Sequence, residues 1–199
     1  MFVKICGLCS DEHVQVAVGA GADAVGFVFA DSVRRIEPGH AARLTNKVPD
    51  TVKKVAVMLH PSNEEWQEVL RDFTPDVLQT DAEDFAELDV PEEISCWPVY
   101  RENKRVTVPL FRVTVPFVYE GAQSGTGEVV DWTAAAEIAQ RGNMILAGGL
   151  GVSNVTEAIA TTRPFGVDVS SGVETAPGQK DSGLIREFIS AAKAAGNNL

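Results

Sequence analysis

Short apolar runs rich in valine, isoleucine and phenylalanine alternate with segments of helical period along this chain. The runs are Phe2–Leu8, Ala24–Phe29, Lys53–His60, Asp76–Thr80, Ile94–Tyr100, Pro116–Glu120, Asn143–Ala147 and Gly166–Ser170. Most are near-continuous in apolar character, without the polar alternation of a half-exposed strand. That is the pattern of parallel strands buried on both faces. Between them, Asp11–Gly19, Gly39–Asn46, Asn63–Phe73, Ala82–Leu88, Thr133–Arg141, Val155–Thr162 and Ser182–Ala195 read as helices. Ser10 or Asp11 can cap the first and Gly19 to Gly21 can end it, Ser62 precedes the third, and Asp131 precedes the Thr133 segment. Such side chains accept hydrogen bonds from first-turn amides that have no partner inside the helix.

An open doubly wound sheet usually has about five or six strands, whereas eight parallel strands close a barrel. The predicted fold is therefore α/β: a compact (β/α)8 TIM barrel at roughly 25 residues per unit, forming a single domain over residues 1–199. One unit is irregular. Arg101–Val115 carries β-branched residues and Pro109 but no helical period, so helix 5 is expected to be missing or replaced by a loop.

With 45% apolar and 23% charged residues, the chain has the composition of a globular domain with a sizeable core. No apolar stretch approaches the ~20 residues needed to span a bilayer. Met1-Phe2-Val3-Lys4-Ile5-Cys6-Gly7 reads as a first strand rather than a signal peptide. A cytoplasmic protein without a membrane partner is expected. The net charge of −11 argues against nucleic acid, whose phosphates are held by clustered lysines and arginines. It leaves room for a small anion, because backbone N–H groups and one or two arginines make a locally positive site inside an acidic protein. Cys6, Cys9 and Cys96 form no disulfide framework. His13, His40 and His60 are scattered, so no metal site is expected.

In a barrel of this kind functional groups gather at the carboxyl ends of the strands. Two turns near the end of the chain stand out there: Leu146-Ala147-Gly148-Gly149-Leu150, and Gly166-Val167-Asp168-Val169-Ser170-Ser171-Gly172-Val173-Glu174. Glycines let an anion approach the backbone, serine hydroxyls donate, and free N–H groups at a following helix start favour negative charge. Gly148, Gly149, Ser170, Ser171 and Gly172 therefore predict a phosphate cradle and a small phosphorylated substrate. The other strand ends supply Cys6, Phe29 to Arg35, His60, Gln79 to Asp81, Arg101, Glu120 and Asp168. A strand cysteine is commonly core, yet a thiol with a pKa near ~8.5 serves as a base when a positive neighbour lowers it. Cys6 and Cys9 also form a C-x-x-C pair, the spacing of a redox motif, although the surrounding organisation is that of a barrel.

Lys4-Ile5-Cys6-Gly7-Leu8, Gly19 to Phe29, Ser32-Val33-Arg34, Gly125-Thr126-Gly127 with Asp131-Trp132, Leu146 to Leu150 and Gly166 to Glu174 resemble the phosphoribosylanthranilate isomerase family, in the right order over nearly the whole length. The resemblance implies a (β/α)8 barrel of tryptophan biosynthesis acting as monomer or homodimer. It implies an Amadori rearrangement of N-(5-phosphoribosyl)anthranilate to the 1-amino-1-deoxyribulose 5-phosphate by general acid-base catalysis, with no cofactor. On that reading Cys6 is the general base, Arg34 pairs with the anthranilate carboxylate, and Asp168 meets the substrate's amine or sugar. Arg35 is the register-shifted alternative to Arg34.

Three positions depart from the family pattern. The family aspartate at the end of strand 6 is Glu120, which keeps a carboxylic acid one methylene longer. Glu120 is the expected general acid, with Asp168 or Asp81 as alternatives. The family's Gln-Leu-His-Gly is Gln79-Thr80-Asp81, placing a substrate-side anion at Asp81 that an arginine must neutralise. A common family lysine is Glu128. The rival readings are a phosphosugar-binding barrel without turnover and the isomerase of the related histidine-pathway aminoaldose. Enzymes of the latter kind carry an aspartate at the end of strand 1, where this chain has Cys6.

Overall fold

Strand β1 (Phe2–Cys6) pairs in parallel with β2 (Ala24–Val28) on one side and with β8 (Gly166–Val169) on the other, which closes a barrel of eight strands in chain order. The rest of the wall is β3 (Lys53–Val57), β4 (Val77–Asp81), β5 (Ser95–Arg101), β6 (Val113–Glu120) and β7 (Gly142–Leu146). The structure, a computed structural model, describes residues 1–102, 113–122 and 129–198. Around the wall lie α1 (Asp11–Gly19), α2 (Pro38–Thr45), α3 (Asn63–Phe73), α4 (Trp132–Ala139), α5 (Val155–Thr162) and α6 (Ser182–Gly196). No described helix is long and apolar enough to cross a membrane.

The strands look uniformly apolar because both of their faces are covered. Successive side chains point to opposite faces. Val3 and Ile5 join the core shared with the helices, whereas Phe2 belongs to the cluster on the barrel axis. That inner cluster holds Ala24, Val55, Val77, Trp97, Val99, Val118, Ile145 and Ala147. Lys4, Cys6, Gln79, Asp81, Arg101, Glu120 and Asp168 share the inner alternation, so the polar groups fall at the carboxyl end of the axis. Caps position the helices as expected: Ser62 and Glu65 form a reciprocal capping box on α3, and Ser10 and Asp131 cap α1 and α4.

The expected helix Ala82–Leu88 is instead a single 3-10 turn, Asp84–Ala86. The Asp84 carboxylate faces back toward the barrel wall, accepting from Thr80 Oγ1 at 2.5 Å and from the His60 backbone N–H at 3.2 Å. Phe85 and Leu88 reach the core without a longer helix. Strands β1 and β3 stop before Leu8 and His60; after β1 the amides of Gly7 and Leu8 both turn onto the Gly26 carbonyl, at 2.9 and 3.1 Å. A hairpin of β9 (Glu174–Ala176) and β10 (Gln179–Lys180), absent from the sequence reading, precedes α6. The segment expected to replace helix 5 falls mostly on residues 103–112, outside the described residues, as do Gly125-Thr126-Gly127 and Glu128.

Candidate active site

At the carboxyl ends of the strands opens a cavity of about 240 Å³, with Cys6, Arg34, Arg101, Glu120 and Asp168 in its lining. Gly148, Gly149, Ser170 and Ser171 line it as well. The two expected halves of the site, chemical groups and phosphate turns, therefore share one mouth.

Cys6 ends β1 and is buried, and Lys4 lies two residues below it on the same inner face. The register of β1 and β8 sets Lys4 opposite Asp168, and their side chains join at 2.9 Å from Nζ to Oδ2. Burial opposes the Lys4 charge, but Asp168 and Cys6 outweigh it and hold the ammonium above its ordinary value. Burial pushes the Cys6 thiol up, and the cations Lys4 and Lys180 pull against that shift without cancelling it. Among the described residues, Asp168 Oδ1 is buried with no hydrogen-bond partner. A buried acceptor left open beside a cavity suits a donor on a ligand.

Arg34 follows β2 and is held from behind. Its Nε and Nη2 donate to Glu174 at 2.7 and 2.8 Å, a bidentate geometry that fixes the guanidinium plane. Lys180 of β10 donates to the same carboxylate at 2.7 Å, and to the Ser170 carbonyl and hydroxyl at 2.9 and 3.2 Å. Burial works against the Glu174 charge, but Arg34, Lys180 and the Gly178 amide hold its carboxyl at about 2. The hairpin thus ties Arg34 to the serine turn.

On the opposite wall, Arg101 at the end of β5 stands in register with Glu120 on β6. Its Nη1 donates to Glu120, while Nε and Nη2 grip Asp81, Nη2 at 2.6 Å. Arg101 is the arginine that the anion at position 81 demands. Asp81 is buried, lies outside the cavity lining and is closed onto Arg101, not presented to a ligand. His60, also beyond the lining, is exposed; the Asp84 hydrogen bond raises its pKa despite some burial.

Gly148 and Gly149 adopt φ of 88° and 64°, a left-handed pair that side chains disfavour. Asn154 pins this loop, accepting from the Gly151 amide at 2.8 Å and donating to the Gly149 carbonyl at 2.9 Å. Gly172 does not line the main cavity. It bridges Gly151, and a methyl group there would collide with the Leu150 carbonyl, so it lets the two turns touch.

Sequence reasoning gave no role to Lys4, Glu174 or Lys180, and placed Arg101 only at a strand end. Lys4 and Glu174 sit within the two motifs quoted above, and the inward alternation of β1 and β5 was the signal available for Lys4 and Arg101. Nothing local marked Lys180, whose placement depends on the hairpin.

The family model for N-(5'phosphoribosyl)anthranilate (PRA) isomerase matches residues 3–191. The N-(5'-phosphoribosyl)anthranilate isomerase of Trichlorobacter lovleyi is 39% identical over 206 residues, covering 97% of this chain and 98% of that one. The phosphoribosyl anthranilate isomerase of Thermotoga maritima superposes with a TM-score of 0.83 at 30% identity, covering 98% and 99% of the two chains. A phosphoribosyl anthranilate isomerase in complex with reduced 1-(o-carboxyphenylamino)-1-deoxyribulose 5-phosphate superposes with a TM-score of 0.80, also at 30% identity and with the same coverage. This chain belongs to the N-(5'-phosphoribosyl)anthranilate isomerase family.

Proposed function

We propose that this chain converts N-(5-phosphoribosyl)anthranilate to 1-(2-carboxyphenylamino)-1-deoxyribulose 5-phosphate in tryptophan biosynthesis, with Cys6 as general base and Glu120 as general acid. The observation that carries the assignment of roles is the shared mouth: a thiol on β1, a carboxyl on β6 and the Gly148-Gly149 and Ser170-Ser171 turns line one cavity. The substrate is a small phosphorylated molecule, met by a monomer or homodimer in the cytoplasm.

The rearrangement moves protons and adds or removes no atoms. Glu120 protonates the ring oxygen of the aminoaldose, and the C1′–O bond breaks to give the open-chain iminium. Cys6, as thiolate, takes the C2′ proton; the electron pair of that C–H bond flows into the iminium and forms the enolamine. Return of a proton to C1′ as the C2′ hydroxyl loses its own gives the amino-ketone. Two groups on different strands allow the proton donor and acceptor to approach the sugar from different sides. Asp168 Oδ1 accepts from the substrate amine or a sugar hydroxyl, the serine and glycine turns hold the phosphate, and Arg34, oriented by Glu174, meets the anthranilate carboxylate.

Arg101 donates to Glu120, so the acid role requires that pair to loosen once substrate fills the cavity. The same pair is what a binding barrel without turnover would retain, and experiment separates the two. Expression in cells lacking the isomerase should restore growth without tryptophan, and Cys6→Ala should abolish the rescue. Purified Glu120→Gln should lose turnover by two orders of magnitude or more, of the size expected for a general acid (roughly 10²–10⁴-fold), while inorganic phosphate still binds. No rescue by well-expressed, folded protein would favour the binding barrel, and near-normal kcat in Glu120→Gln would remove that residue from the mechanism.

A further inference from the structure

We propose that Lys4 favours ionisation of the Cys6 sulfur at the floor of the cavity, through an approach that Gly26 permits and Asp168 limits. Lys4 is then a positioning residue, acting on the substrate only through Cys6. The inference rests on the reading of Cys6 as the base.

Three features of the barrel interior point to it. The first is placement. Lys4 is fully buried, and the two-residue period of β1 puts Lys4 and Cys6 on the same inner face. A lysine in a barrel axis is costly unless its charge is compensated.

The second is the wall opposite. Gly26 is the register partner of Cys6 on β2. A methyl group on Gly26 would stand 3.1 Å from Cys6 Sγ and 3.2 Å from Lys4 Nζ. Sulfur and ammonium therefore converge over the same missing side chain, and any residue larger than glycine would crowd both.

The third is donor count. An ammonium carries three N–H donors. Lys180, the other lysine acting on Cys6, gives hydrogen bonds to Glu174, the Ser170 carbonyl and the Ser170 hydroxyl. Arg34, after β2, has Nε and Nη2 on Glu174. Among the described residues Lys4 donates to Asp168 at 2.9 Å, and its charge beside the sulfur favours the Cys6 thiolate. The charged groups that act on the thiol are thus Lys4 from β1, Asp168 from β8, Lys180 from β10 and Arg34 after β2; β2 itself offers Gly26. Asp168 opposes the thiolate by its own charge while sharing Lys4.

This predicts shifts of opposite sign. In a Cys9→Ser/Cys96→Ser background Cys6 is the sole thiol, and the ultraviolet absorbance of its thiolate can be titrated. Lys4→Met should move that titration alkaline by about one pH unit or more, and lower kcat/KM at neutral pH about tenfold per unit. Lys4→Arg, which keeps the cation, should recover most of the shift. Asp168→Asn should move the thiol titration in the acid direction. An unmoved titration in Lys4→Met, or an alkaline shift in Asp168→Asn, overturns the proposal. So does a Lys4→Met loss that is the same factor at every pH, as a purely structural role requires. Should Lys4→Met fail to fold, Lys4→Gln, which removes the charge but keeps a polar side chain, takes its place, and an unmoved titration there overturns the proposal equally. Persistent turnover in Cys6→Ala would remove the base assignment, whereas the titration reads Lys4 whether or not Cys6 is the base.

Discussion

Glu174 is the residue on which one side of the mouth depends. Its side chain is 3% exposed and holds two cations, Arg34 and Lys180. Removing the charge of a buried partner leaves the others uncompensated, so Glu174→Gln should cost about 3 kcal/mol of stability at neutral pH. The pH dependence follows from its depressed value of about 2 against 4.5 for the free group. The stabilisation is complete above pH 4.5 and is lost as pH falls toward 2. Thermal unfolding of parent and variant should therefore differ most near neutrality and converge across that acid range; a gap that stays constant would show that Glu174 is not paired as described. Arg34 was legible as an arginine fit for a carboxylate. That its first carboxylate is Glu174 was not, because nothing near Arg34 in the chain names its partner.

At the scale of elements, the loops after β7 and β8 carry the phosphate expectation. Their glycines and serines were readable because a left-handed backbone and a hydroxyl turn are local requirements. Gly149 at φ 64° tests this. A side chain there costs roughly 1–2 kcal/mol, or moves the loop to avoid that cost. Gly149→Ala should weaken competitive inhibition by inorganic phosphate by about tenfold, the equivalent of ~1.4 kcal/mol, and raise KM more than it lowers kcat. Unchanged phosphate inhibition would place the anion elsewhere. The β9–β10 hairpin escaped the sequence reading because its strands are three and two residues long and largely polar, too short to show a period. The 3-10 turn replaced a predicted helix for a related reason: a seven-residue apolar pattern does not outweigh a carboxylate drawn back to Thr80 and His60.

Across the whole molecule, the aromatic packing of the axis and the polar cavity lie at opposite ends of the barrel. Phe2 packs on Trp97 at 5.7 Å and on Phe165 at 5.4 Å, below the layer that holds Lys4 and Asp168. Trp97→Ala should cost roughly 3–5 kcal/mol, seen as a lower Tm, with KM at a permissive temperature close to that of the parent. A large rise in KM would mean that the two ends are coupled. The sequence by itself determined the order of strands, the closed barrel and the residue types at its mouth, since the periods of strands and helices and the chemistry of turns are local. Even Lys4 and Arg101 could be placed on inner faces by counting in twos. Only the tertiary structure decided which charges meet. Lys4 and Asp168 are 164 residues apart, and Arg34 and Glu174 are 140 apart. The first pair forms when barrel closure sets β1 beside β8 in one register, and the second when the β9–β10 hairpin meets the loop after β2, long-range alignments that no local pattern encodes.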